Sequence, residues 1–537
     1  MQVVRQAVER WKGRSGILSD LKQKVGQSPQ QITQLLAAIG LLVLFFAVVS
    51  PWVVPAKEVQ RPKVHARVKP TVVPTPTVPP RQVPVLTLRT TADSGDWTSF
   101  LGNLRMGDNT AENVIDATNA SKLTLFWSAH ARGAISSQPV VANGLIYWGS
   151  WDGLEHATDV NGHQVWAANL GTTTDYDCDP SSAGVASTPT VDSVTIHGTT
   201  TSVLFVGGGN AHFYALNALN GKMIWNISLG DSPSHFIWSS PAFYRGSVYI
   251  GIASFGDCPE VAGQLFQFNA STGAIQNVFN LVPNGCAGAT IWSSPAINGA
   301  TGELFIATGN PDRCGTREPF ATSLIELRAS DLSLVGSWQV PRHQWVIDSD
   351  FGATPTLFSA NIGGVSRPMV GVAHKNGIFY AFVQGAVGDG PVWEDSIAYG
   401  GSCPNCGDGS ISPGAWDGSK LYVAGGITNI DGNYCPGSVR AINPANGDFI
   451  WERCLVNGPV LAPVSMAPGL VVVGEGSVFD IFSAATGNNL FSYNDPSSYS
   501  LFWGAATISH GVLYIGNFDG NLYAFGLRNN SGIGRKN

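Results

Sequence analysis

The chain has 537 residues, of which only 12% are charged, while 63 are glycine and 16 are tryptophan. The formal net charge of −7 leaves no basic footprint, so nucleic acid is excluded as an expected partner. Few charges, abundant aromatics and many glycines describe an all-β protein with tight turns rather than a helical one.

The amino-terminal stretch differs from the rest. Residues 1–30 are rich in Arg and Lys and read as a short cytoplasmic tail. LLAAIGLLVLFFAVVS (35–50) lies within an apolar run from Ile32 to Ala56 that is long enough to cross a bilayer as a helix. We expect an uncleaved transmembrane anchor over 31–55, with a cleaved signal peptide as the alternative. A Pro-rich linker follows over 56–95. Residues 51–84 hold nine prolines, PTPTVPP among them, and such a segment stays extended. All eight cysteines come after the helix, which suits disulfides in an oxidising space. The expected placement is therefore a single pass through the cell membrane, with the large domain on the extracytoplasmic side.

From residue 96 the text repeats. YIGNFDGNLYAF (514–525) has counterparts in IYWGSWDGLEHATD (146–159), LFVGGGNAHFYALN (204–217) and MVGVAHKNGIFYAF (369–382), each a strand, a turn and a strand. Four units add a turn and a tryptophan: NGHQVW (161–166), NGKMIW (220–225), GDGPVW (388–393) and NGDFIW (446–451). Each is preceded by a short small-residue strand, such as ASTPTV, GATPTL or the twice-used IWSSPA (237–242 and 291–296). Eight units of three or four short strands predict an eight-bladed β-propeller over 96–528, with 529–537 as a tail. The last unit lacks a fourth strand, and KLTLFW (122–127) can supply it and close the ring.

In a four-stranded blade, the connections between blades and the loops joining second to third strands share one face. By this count all eight cysteines fall on that face. Cys258 and Cys286 in blade 3 match Cys435 and Cys454 in blade 6, so both pairs are expected as disulfides. Cys403 and Cys406 (CPNC) can close on each other, leaving Cys178 for Cys314. Gly407 after this CxxC excludes a c-type haem site, and a lone CxxC does not suggest zinc. Glu260, Asn310, Asp348, Asp350 and Lys375 fall on the same face, in three adjacent blades. Carboxylate and carboxamide oxygens of this kind suit a hard cation such as calcium.

With these residues in view, the chain resembles the quinoprotein dehydrogenases, eight-bladed propellers that use pyrroloquinoline quinone (PQQ). The GxxxW turns look like that family's tryptophan-docking repeats. The resemblance implies that Glu260, Asn310 of TGNP and Asp350 hold calcium. It implies that Trp292 is the floor under the quinone and that Lys375 of HKNGIFY contacts its oxygens, leaving Trp238 to packing. Asp350 then becomes the general base, with Asp348 of the same D-x-D pair as the alternative. That pair also resembles lanthanide-using members, so the metal stays open between calcium and a lanthanide. Two features depart from the family. The adjacent Cys–Cys pair of many alcohol-oxidising members is reduced to Cys178 alone, and the arginine expected after it is missing. Without a haem domain, electrons pass to a separate acceptor. The function implied is PQQ-dependent oxidation of a small alcohol or sugar. The alternative is a non-catalytic propeller that presents a binding face to a protein or glycan.

Overall fold

Each repeat folds as an antiparallel sheet because short β-rich runs alternate with tight turns, many of them glycine-bearing at positive φ. In the computed structural model, residues 95–102, 107–312, 314, 318–496 and 500–528 are described. The expected tail, anchor and nearly all of the linker (1–94) lie outside the described residues, as does 529–537. Among the described residues no helix is long and apolar enough to cross a membrane.

The described residues form eight blades in sequence order. Blade 1 runs through Val140–Ala142, Leu145–Gly149, Leu154–Asp159 and Gln164–Asn169. The next six blades begin at Thr190, Ala242, Ala296, Thr356, Ala415 and Ser465. Blade 8 takes Thr507–Ser509, Val512–Gly516 and Asn521–Leu527 from the end of the chain. Its outer strand is Leu123–His130, which pairs antiparallel with 521–527 and closes the ring as expected. Second strands such as Leu145–Gly149 are buried throughout, whereas outer strands such as Ile275–Asn280 alternate between wet and dry. That gradient explains why the inner text is continuously apolar and the outer text is mixed.

Two devices join the blades, and both are written in the repeat. The first is the hydroxyl before proline in the small-residue strand. Gln138 N–H donates to Thr188 Oγ1 at 2.8 Å, Thr188 N–H to Ser240 Oγ at 3.0 Å, Ser240 N–H to Ser294 Oγ at 2.8 Å and Ser294 N–H to Thr354 Oγ1 at 2.9 Å. These bonds link blades 1 to 5 in turn and satisfy backbone donors that have no sheet neighbour there. The second device is the tryptophan of the outer strand. Trp127, Trp166, Trp225, Trp393 and Trp451 each donate the indole N–H to a carbonyl of the next blade, at 2.8–3.1 Å. The ring lies against a glycine in that blade's turn. A Cβ on Gly221 would fall 2.7 Å from Trp166, and the same holds for Gly487 against Trp451. Both glycines also have positive φ, +70° and +68°, so the turn and the close approach make the same demand.

The junctions without such a tryptophan bond have other outer contacts. Tyr249 and Gln267 bond Ala329 O between blades 3 and 4, and Asn298 bonds Gln384 between blades 4 and 5. Between blades 7 and 8 an aromatic cluster of Phe479, Phe491, Tyr493 and Phe525 does this work.

The segment before the first strand crosses the end of the channel where the first strands finish. Trp97, 1% exposed, pairs with Val141 of blade 1, and Thr98 O accepts Val191 N–H of blade 2. Leu101 N–H reaches Gln138 Oε1 at 2.8 Å, Gly107 O accepts Met466 N–H of blade 7, and Asn109 Nδ2 reaches Ile508 O of blade 8.

The cysteine expectation needs correction. Disulfides join Cys435 to Cys454 and Cys403 to Cys406 as anticipated, but the other four cysteines pair as Cys178–Cys258 and Cys286–Cys314. The expected Cys258–Cys286 and Cys178–Cys314 bonds are absent. The reason lies in the connection after blade 3. It runs between two loops, with Gly288 bridged both to Ala262 and to Pro311. Cys286 therefore has a loop on each side, and it joins the blade-4 loop. Cys258 instead meets the connection between blades 1 and 2.

Candidate active site

The residues leading into the inner strands, together with the loops beside them, line a cavity of about 310 Å³ at the propeller's centre. This lies within the range usual for small-ligand sites, about 300–1,000 Å³. Its wall takes residues from all eight blades, among them Ser136, Ala186, Trp238, Trp292, Gly352, Ile411, Leu461 and Trp503. Phe100, from the segment crossing the channel, lies at its inner limit.

The two IWSSPA tryptophans occupy the same register in adjacent blades and both line this cavity. Their surroundings differ. Trp238 sits among rings, 4.4 Å from Phe236, 5.9 Å from Trp151 and 6.3 Å from Phe255. Its indole N–H is bonded to Ser254 O at 3.1 Å. Trp292 instead lies across the following blade. A Cβ on Gly352 would fall 2.0 Å from its ring edge, so only glycine leaves room for it there. Lys375 Nζ stands 5.3 Å over the Trp292 ring, a cation–π distance. A flat ligand can stack on such a ring.

The acidic residues meet beside this ring. Lys375, 7% exposed, donates to Asp348 Oδ2 at 2.7 Å and to Asp350 Oδ2 at 2.8 Å. Burial opposes the ammonium charge, but Asp350 and Asp348 outweigh it and hold the lysine above its ordinary value. Asp350 is buried on the cavity wall, and its Oδ1 accepts the Asn310 backbone N–H. Asp348 has a positive φ of +57° and does not line the cavity. Burial, then the neighbouring Asp350, pushes its carboxyl up to about 6. Glu260 is pushed up to about 8 by burial and then by Asp257, against a bond from Ser254 Oγ at 2.8 Å. Asp257, at the rim, is raised by burial and by Asp348.

Asn310 decides how this group fits a cation. The outer atom of its carboxamide lies 3.1 Å from Asp350 Oδ1 and 3.2 Å from Glu260 Oε1. With nitrogen there, the amide donates to both carboxylates. With oxygen there, three oxygens face one another at the spacing of adjacent ligands around a hard cation, which takes oxygen donors at 2.3–2.6 Å. Among the described residues no three His, Cys, Asp or Glu side chains gather to hold a metal, so the carboxamide is needed. Excess acid, raised carboxyls and three convergent oxygens fit a calcium-like ion. The ring of Trp292 beside them fits a planar cofactor.

The comparisons with known proteins agree with this geometry. Residues 97–393, more than half of the chain, match the model described as PQQ, glucose/ethanol/alcohol dehydrogenase, beta-propeller domain. The chain belongs to the PQQ dehydrogenase propeller family. A quinohemoprotein alcohol dehydrogenase ADH IIB of Pseudomonas putida is 28% identical over 314 residues, which is 50% of this chain and 42% of that protein. The chain thus matches less than half the length of this relative. A polyvinylalcohol dehydrogenase of a Pseudomonas species is 22% identical over 77% of this chain and 69% of its own length. Among solved structures, the quinohemoprotein alcohol dehydrogenase of Comamonas testosteroni shares the fold with a TM-score of 0.64 at 17% identity, covering 83% of this chain and 82% of that one. A europium-containing methanol dehydrogenase gives 0.64 at 16% identity, covering 81% of this chain and 98% of that one.

Reading the sequence as a member of this family did not reveal Gly352 or Phe100. Gly352 carried a signal, because GATP has glycine at the register where the two preceding blades have tryptophan. Phe100 carried none, since it lies outside the repeat. The Cys178–Cys258 disulfide is flanked on both sides by cavity-lining residues, Asp179 and Pro180 on one and Gly256 and Asp257 on the other.

Proposed function

We propose that this chain is a PQQ-dependent dehydrogenase that oxidises the hydroxyl of an alcohol or sugar. The observation that carries the reading is that Trp292, Asn310, Asp350 and Lys375 share one cavity wall, with Glu260 behind it against the Asn310 carboxamide. The family match and the relatives' names support it. Trp292 would carry the quinone, with Gly352 leaving space for the ring, and Glu260, Asn310 and Asp350 would hold calcium or a lanthanide. The quinone supplies the hydride acceptor, which no protein side chain can provide.

The chain's own residues then have distinct tasks. Asp350 accepts the hydroxyl proton at Oδ2 as general base. Asp348 is the second carboxylate held by Lys375, but it stands off the cavity wall, which favours Asp350. Lys375 keeps a positive charge against the ring face, where it stabilises negative charge in the transition state. Trp151, Trp238, Phe255 and Trp503 give the cavity an aromatic wall.

In our reading the propeller is carried outside the cytoplasm on the 31–55 anchor, with calcium present in that compartment. Four disulfides support an oxidising location. The test of mechanism is a pair of variants. Asp350→Asn keeps the fold and much of the quinone binding but lowers dye-coupled turnover by about two to four orders of magnitude, the usual worth of a general base. Asp348→Asn leaves turnover closer to wild type. The reverse ranking gives the base role to Asp348.

A further inference from the structure

The cavity has two chemically different sides. Eight blades closed in a ring set blade 1 across from blade 5 and blade 8 across from blade 4. Trp292, Asn310, Asp350 and Lys375 belong to blades 4 and 5. Across the channel stand Trp151, from the second-to-third-strand loop of blade 1, and Trp503, which leads into blade 8. Trp238 and Phe255 of blade 3 extend this aromatic side.

The rings form a continuous series. Trp503 stacks on Phe518 with centroids 5.0 Å apart, Phe518 meets Trp151 edge-on at 5.1 Å, and Trp151 meets Trp238 at 5.9 Å. Trp151 donates its indole N–H to Ser136 Oγ at 2.9 Å, as Trp238 does to Ser254 O. Both donors are thus engaged within the protein, and what these half-buried rings offer a ligand is their π surface.

Carboxylates stand beside the rings. Asp179 and Asp257 also line the cavity, and the Cys178–Cys258 disulfide, with Cα atoms 5.9 Å apart, holds their two loops together. Among the described residues Lys375 is the one Lys or Arg on the cavity wall, and Asp348 and Asp350 already bind it. An anion on this side would be repelled, and a neutral chain would gain apolar contact alone. An ammonium gains twice: the ring faces attract it through their quadrupoles, and the carboxylates complement its charge.

We infer that the cavity selects an alcohol bearing a positively charged ammonium group, seated against Trp151, Trp238 and Trp503 beside Asp179, with the hydroxyl towards Asp350. The fate of the hydroxyl rests on the proposed dehydrogenase reading, whereas the seat of the ammonium does not. The ammonium is a handle and takes no part in the oxidation.

The experiment compares choline with 3,3-dimethyl-1-butanol, which has the same shape and no charge. Calorimetry on the full chain without quinone, at low salt, measures binding. The expected result is that choline binds about tenfold or more tighter than the neutral alcohol, and that added salt narrows the difference. Asp179→Asn and Trp503→Leu should each weaken choline about threefold or more. Asp179→Asn, an exposed substitution, should leave the neutral alcohol unchanged and decides the matter alone if Trp503→Leu fails to fold. With quinone and calcium added, dye-coupled kcat/KM should favour choline in the same order. Tight choline binding with no oxidation of any alcohol strikes the proposed function and leaves the ammonium seat standing. Equal binding of the two alcohols, absence of choline binding, or full choline affinity in Asp179→Asn overturns the inference, even where neutral alcohols are oxidised.

Discussion

Glu155 shows how one side chain can break the rule of its repeat. In the third strands of the other blades its register holds Phe213, Leu265, Leu324, Phe379, Val439, Phe479 and Leu522, all part of the core. Glu155 is fully buried, and neither carboxylate oxygen has a hydrogen-bond partner. Burial alone pushes its carboxyl well above the ordinary value. An unfolded chain ionises this group near pH 4.5, whereas the folded one keeps the proton to a much higher pH. Over that window the native state binds more protons than the unfolded state, so stability falls as pH rises and levels off above the folded value. Glu155→Leu restores the pattern of blades 3, 4 and 8. It should raise stability by about 1–3 kcal/mol at neutral pH, the usual cost of a buried unsatisfied polar group. The gain should be larger at pH 8 than at pH 5, as read by denaturant midpoints at both. A gain independent of pH would assign the effect to packing alone. The anomaly was legible in the letters, for EHATD stands where neighbours read FYALN and FYAFV, but its burial needed the sheet. The site residues were legible in a different way, through family motifs such as TGNP and HKNGIFY, while the ion pairs that Lys375 makes with both aspartates were not.

At the scale of the element, the outer-strand tryptophans set the strength of each junction. Trp451 is 8% exposed, donates to Ala484 O at 3.1 Å and rests on Gly487. Trp451→Ala removes the bond and leaves a large void, so a loss of roughly 3–5 kcal/mol is expected. Chemical denaturation measures it, and a loss below about 1 kcal/mol would show that the blade 6–7 junction does not depend on docking. The glycine and the tryptophan could be read from the sequence because spacing fixes them within one short turn. The disulfides could not be read to the same degree. Cys435–Cys454 and Cys403–Cys406 close within one blade or one loop, where sequence distance is a fair guide to space. Cys178–Cys258 and Cys286–Cys314 join neighbouring loops, and which neighbour a loop leans towards depends on bridges such as Gly288 to Pro311.

Across the whole molecule, closure and function come from the same arrangement. Eight repeats give eight inner strands whose first residues surround one cavity, and the early strand Leu123–His130 locks the ring. The blade count was legible because the text repeats, and the missing last strand pointed to its replacement upstream. The segment before the first strand, which bonds to blades 1, 2, 7 and 8, was not legible, since it occurs once and has no periodicity to mark it. Everything proposed for this chain depends on that cavity holding a quinone. The most direct measurement is a titration of the purified protein with pyrroloquinoline quinone in calcium, and again in a lanthanide, followed by tryptophan fluorescence and near-ultraviolet absorption. The account predicts saturable binding of one quinone per chain with at least one of these ions, weakened when Gly352→Ala forces the Trp292 ring aside. An absence of saturable binding with either ion would contradict it and leave a propeller with a binding face but no catalytic centre.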